Sequence, residues 1–176
     1  MSRESNALVL CVALTAGLFC VTDATAAEMS QGQAFANATV SLVEAVAIAE
    51  RQQNGKTTGV EFDVEKHRAV WEVKVLGEKG VMECKVDAIT GKILRIEDER
   101  VLGKMTGMFT GLKLVDLNAV KTSLAQAVAL AEQQKGGKAI KVQVEHEHGS
   151  VQFDVFVRVR DHTPSLKIDA MSSRTL

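Results

Sequence analysis

The chain writes one line twice. Residues 41–50 read SLVEAVAIAE and residues 123–132 read SLAQAVALAE, an offset of 82 residues. Held at that offset, the sequence matches without a gap to its C-terminus. Gly55-Lys56 falls on Gly137-Lys138, Trp71 on Phe153, Val73 on Val155, Val75 on Val157, and Asp87-Ala88 on Asp169-Ala170. A match of this length at a fixed period reads as an internal duplication, and it constrains the fold before any local motif does.

Each copy opens as a helix. Ser41-x-x-Glu44 and Ser123-x-x-Gln126 are capping boxes, in which the serine accepts a free backbone N–H and the Glu or Gln reaches back. Leu42, Ala45, Val46 and Ala49 then share one helical face, as do Leu124, Ala127, Val128 and Ala131. Asn54-Gly55 and Gly136-Gly137 end the two helices, glycine accepting the left-handed turn. Strands follow. Val60, Phe62 and Val64 alternate with acids; Trp71, Val73 and Val75 alternate with Glu72 and Lys74; Met82, Cys84 and Val86 alternate with Glu83 and Lys85. The two-residue period predicts an antiparallel meander with one buried and one wet face. Lys66-His67-Arg68, Gly77 to Gly80 and Asp87 to Lys92 are the turns, with Gly91 suited to positive φ. The second copy stops at Leu176, the counterpart of Leu94, so its last strand is expected to be short or missing. The predicted fold class is α+β: two tandem repeats, each one helix packed on a small antiparallel β-meander sheet.

The N-terminus points to export. Arg3 precedes an apolar run from Ala7 to Val21, and Ala24-Thr25-Ala26 offers a small-x-small cleavage site. The run falls short of the about 20 apolar residues that span a membrane. With residues 1–26 removed, 20 basic and 20 acidic side chains remain among 150 residues. That balance gives no footing for nucleic acid or a membrane surface. Cys11 and Cys20 leave with the signal, so Cys84 has no partner for an internal disulfide. The expected organisation is a signal at 1–26, a linker at 27–40, repeats at 41–100 and 122–176, and a connector at 101–121.

The capped helix, then Trp71-Glu72-Val73-Lys74-Val75, then Val86-Asp87-Ala88-Ile89-Thr90-Gly91-Lys92, resembles the PepSY domain. That domain occurs in propeptides of thermolysin-like secreted metallopeptidases and in exported bacterial proteins. The resemblance is full over Ser41–Ile96 and looser over Thr122–Leu176, where Ser172-Ser173 stand for Thr90-Gly91. It implies a helix-plus-sheet fold, a periplasmic or secreted setting, and a role in restraining or binding peptidases. It implies no catalytic residues and no cofactor.

Few residues suggest chemistry. His146 and His148 would point the same way on a strand and could share a zinc or copper ion. A zinc site wants three or four ligands, however, and the repeat puts His146 at the inward position of Val64. Cys84 lies on the Met82/Val86 face and reads as a buried thiol. Ser41 and Ser123 read as caps; Asp87 and Asp169 read as turn starters; Trp71, Phe153 and Gly91 complete the structural signature. The connector places Met105, Met108, Phe109 and Leu112 on one apolar stripe. The reading that follows is a non-enzymatic exported protein that binds a protein or peptide partner, a peptidase among the candidates, as a monomer or weak dimer. The rival readings are a module binding metal or haem through His146 and His148, and an assembly subunit joined through Cys84 or the connector.

Overall fold

The computed structural model describes residues 30–78, 80–98, 113–147 and 149–176. The expected export signal, the stripe from Met105 to Leu112, and His148 lie outside the described residues. In chain order the elements are α1 (Gln31–Ala36), α2 (Leu42–Gln53), β1 (Lys56–Glu65), β2 (Arg68–Gly77), β3 (Gly80–Asp87), β4 (Ile93–Asp98), α3 (Leu114–Asn118), α4 (Leu124–Lys135), β5 (Lys138–Glu147), β6 (Ser150–Arg158) and β7 (Ser165–Asp169).

Helices α2 and α4 start where their serines take a backbone donor. Ser41 Oγ accepts from Glu44 N and Glu44 Oε2 accepts from Ser41 N; Ser123 and Gln126 do the same. The bonds Glu44 accepts from Ser41 hold its carboxyl below the ordinary range. The helix ends correct the expectation for glycine. Asn54, not Gly55, takes the left-handed cap of α2 at φ 49°, whereas Gly136 takes that of α4. Gly55 and Gly137 meet a different demand. A Cβ on Gly55 would stand 2.5 Å from Leu76 O, and one on Gly137 2.2 Å from Arg158 O, so both sites require a bare backbone. Asn fits the left-handed cap because its short polar side chain tolerates that region.

The strands do not form two small sheets. They join in a single seven-stranded antiparallel sheet, β4-β3-β2-β1-β5-β6-β7. The join is short: Gly59, Val60 and Glu61 pair with Gln143, Val142 and Lys141. Val60 therefore faces the residue 82 positions later, and the halves are turned about an axis through that pair. Helices α2 and α4 pack on the same face, over a continuous core that includes Val73, Val86, Val142, Val155 and Ile168. Each such side chain, taken fully out of water, is worth about 1.5–3 kcal/mol.

Like positions take like bonds in both halves. Asp87 Oδ1 accepts from Ile89 N, Thr90 N and Thr90 Oγ1; Asp169 Oδ1 accepts from Met171 N, Ser172 N and Ser172 Oγ. Gly91 carries φ 70°, and Ser173 takes the same region at φ 57°. Thr39 and Val40 donate to Ala88 O, as Lys121 and Thr122 do to Ala170 O. After β7 an isolated bridge, Ile168 to Thr175, repeats the Val86 to Ile93 pairing that opens β4.

Two short helices lie where linkers were expected. In α1, Ser30 and Gln33 form a capping box, and six residues are too few for periodicity to reveal it. Phe35 projects from α1 against Phe62 and Trp71, the three rings edge-on at 5.1–6.1 Å. Trp71 satisfies its indole N–H on Val40 O at 2.8 Å. In α3, Leu117 is buried in the core. Among the described residues, no helix is long and apolar enough to cross a membrane.

Candidate functional site: the open sheet face and its outer strand

All described helices pack against one face of the sheet, and among the described residues no element lies over the face carrying the alternate polar residues. It is nevertheless not the wet face that alternation predicts. Glu83, Lys85, Gln152 and Asp154 are each at most 9 % exposed. Neighbouring strands stand about 4.8 Å apart, so long side chains on successive strands shelter one another.

Lys85 is the centre of this shelter. Its Nζ donates to Glu65 Oε1 and to Glu72 Oε1 at 2.6 Å, and lies 3.6 Å from Glu83 Oε1. Burial alone would pull its pKa down, but the bonds to Glu65 and Glu72 carry it above the ordinary lysine value. In turn Lys85 holds the Glu65 carboxyl below its usual range. Ligand oxygens of Asp63, Glu65 and Glu72 come within 4.8 Å of one another, the spacing a cation could use, with the Lys85 ammonium already among them.

The other half carries a matching group. Moving on 82 residues turns Lys85 into Lys167, Asp63 into Glu145, Glu65 into Glu147 and Glu72 into Asp154. Lys167 Nζ lies 2.9 Å from Glu145 Oε2 and 3.6 Å from Glu147 Oε1, and the bond to Glu145 raises its pKa. Asp154 stands directly across the ladder from Lys167, yet its Oδ1 is buried without a hydrogen-bond partner. Other charge pairs on this face are Glu61 with Lys141 at 2.9 Å, Glu83 with Lys74 at 4.0 Å, and Glu97 with Arg95 at 3.0 Å. Sequence reading missed both quartets because it compared apolar and turn positions only. The same offset applied to the polar positions would have found them.

The sheet also has an open edge. β4 is outermost on one side, with Leu94 and Ile96 exposed, and no described strand pairs with its outer side. The opposite edge, β7, is shorter and partly covered by Thr175 and by Leu176 N donating to Lys167 O. A cleft of 410 Å³ lies where the last residues of α2 meet the β2–β3 hairpin, lined by Gln52, Gln53, Asn54, Val75, Glu78 and Met82 among others.

The residues singled out from the sequence are scattered. His146 is exposed near the end of β5, where its register with Val64 implied an inward position, although Val151 directly across the ladder is buried. His67 and His162 are exposed in separate turns, so the described histidines do not converge. Cys84 is fully buried, and burial pushes its thiol up to about 11. It is closed to an intermolecular disulfide unless the sheet opens. Ser41, Ser123, Asp87, Gly91 and Asp169 sit at caps and turns, and Trp71 and Phe153 in the core. Ser150 and then Ser172 donate to Asp169 and hold its carboxyl down at about 2. For Asp87, burial opposes ionisation, but bonds from Thr90 and Ile89 prevail and lower its pKa.

Comparison with known proteins finds a family likeness over the first half. No curated protein matches the chain. A solved structure, that of a candidate lipoprotein from Clostridium difficile 630, matches with a TM-score of 0.46 and 16 % identity over 85 % of this chain and 96 % of that one. The family model described as "Peptidase propeptide and YPEB domain" matches residues 39–97, which hold α2 and β1–β4 almost entire. The chain is thus similar to the PepSY family over residues 39–97.

Proposed function

We propose that the protein is an exported, non-catalytic module that binds an extended segment of a protein partner along β4, and that a peptidase of the extracytoplasmic space is that partner. The observation that carries the reading is that no described strand pairs with the outer side of β4, where Leu94 and Ile96 are exposed, within the stretch that matches the peptidase-propeptide family. An added strand gains affinity from backbone hydrogen bonds and specificity from pockets for alternate side chains. The 82-residue correspondences support reading residues 41–100 and 122–176 as duplicated PepSY-like units joined by 101–121. The apolar run at 7–21 supports export to the periplasm or beyond.

The test is inhibition. Purified protein is added to a thermolysin-like metallopeptidase and casein hydrolysis is followed, with hydrogen exchange of the β4 amides measured in parallel. Slower hydrolysis with protection of residues 93–98 is expected, both lost in a Leu94→Lys/Ile96→Lys variant, since lysines on an edge block strand addition. Unchanged hydrolysis together with unchanged exchange in β4 overturns the reading.

A further inference from the structure

The two lysine-centred quartets have the same composition and different states. Each sets three carboxylates around one ammonium, so each carries two surplus negative charges, while Glu61, Glu83 and Glu97 each have a further cation within 4.0 Å. In the first quartet the lysine is deep, its side chain 8 % exposed, and bonded to carboxylates from two other strands. In the second, Lys167 is 38 % exposed and drawn towards Glu145 and Glu147, away from its ladder partner Asp154. Asp154 is more than nine-tenths buried and one of its oxygens has no donor. A buried carboxylate short of donors is costly, and of the two residues across the ladder from it, Gln143 and Lys167, the charged one is bonded to Glu145.

We propose that the open sheet face at Glu145 and Glu147 receives a basic segment of a protein partner, whose Arg or Lys side chains take over these two glutamates. Lys167, released, turns to Asp154 and supplies the missing donor, so docking satisfies a group that is unsatisfied in the free protein. Successive same-side residues of an extended segment stand about 6.6–7 Å apart, which matches the two-residue step from Glu145 to Glu147 along β5. The surplus of negative charge selects the sign of the partner and speeds its approach. The proposal rests on the reading that the protein binds a protein, but it uses a different surface from the β4 edge.

The experiment titrates full-length mature protein into a fluorescein-labelled Arg-Thr-Arg-Thr-Arg peptide at low salt, reading anisotropy, with Glu-Thr-Glu-Thr-Glu as the comparison. Binding of the basic peptide alone is expected, weakening as salt is raised. Glu145→Gln/Glu147→Gln should lose about tenfold in affinity, and Glu78→Gln/Asp161→Asn, with the same change in net charge, should lose none. Asp154→Asn should weaken the peptide and stabilise the free protein, a pairing that general charge attraction does not produce. Leu94→Lys/Ile96→Lys should leave peptide binding intact, so failure of the β4 reading is distinguishable from failure here. No binding, equal binding of both peptides, or equal loss in both charge variants overturns the proposal. So does a salt-sensitive dimer in light scattering that Glu145→Gln/Glu147→Gln abolishes, which would give the face to a second copy.

Discussion

Replacing Lys85 by Met keeps the length and apolar stem of the side chain and removes only the ammonium. Glu65, Glu72 and Glu83 are then left facing one another on β1, β2 and β3. Removing one partner from a buried ion pair costs about 3–5 kcal/mol. Glu65 and Glu72 are 37 % and 24 % exposed, so water relieves part of the repulsion and about 3 kcal/mol is expected. The same substitution at Lys167 removes a lysine 38 % exposed, whose partners Glu145 and Glu147 are 29 % and 46 % exposed, and a clearly smaller loss is expected. Urea unfolding read by the fluorescence of Trp71, which is the only tryptophan and is buried, compares the two directly. With a slope of about 2 kcal/mol/M, the midpoint should fall by about 1.5 M for Lys85→Met and by clearly less for Lys167→Met. Adding Glu65→Gln/Glu72→Gln to Lys85→Met should recover much of the loss, because the repelling charges go with it. Equal midpoint shifts at the two lysines, or no recovery, would refute the view that equivalent positions differ through burial.

Gly137→Ala should destabilise more than Gly136→Ala: the first puts a Cβ into Arg158 O and costs about 1–3 kcal/mol or more, while the second meets open space and only the strain of φ 72°, about 1 kcal/mol. Thermal melts of the two variants decide it, and a larger loss at Gly136 would be the contrary result. On acidification, Asp169 and Asp87 ionise below their ordinary value of 3.8 in the folded state, so their stabilisation is complete above about pH 4 and is lost as pH falls towards about 2. Asp169→Asn should flatten that acid limb, and an unchanged slope would count against the turn bonds. The Cys84 thiol should stay silent to a disulfide reagent at pH 8 and react once urea unfolds the chain, whereas rapid labelling of the native protein would contradict its burial.

Wherever a residue's task is local, the sequence carried it. Ser41 and Ser123 cap their helices through bonds spanning three residues, and Asp87 and Asp169 hold turns through bonds spanning two or three. Those tasks can be read from spacing, because the chemistry of a serine or aspartate beside free backbone donors does not depend on the rest of the fold. His146 shows the limit: its alternation with Val144 names a face, but not that the side chain is exposed there while Val151 across the ladder is buried. Asn54 shows another, since both Asn and Gly accept the left-handed cap and only the approach of Leu76 O reserves position 55 for glycine.

The sequence alone determined a doubled set of capped helices and alternating strands, with an apolar side and a polar side to each strand. Only the tertiary structure decided that the strands form one sheet and that β1 meets β5 through Val60 and Val142. It alone gathered Lys85 with Glu65 and Glu72, 20 and 13 residues away in the chain. The reason is that alternation fixes which way a side chain points, while its neighbours are fixed by lateral backbone hydrogen bonds. Every strand offers those bonds alike, so the choice among them falls to the packing of the whole core.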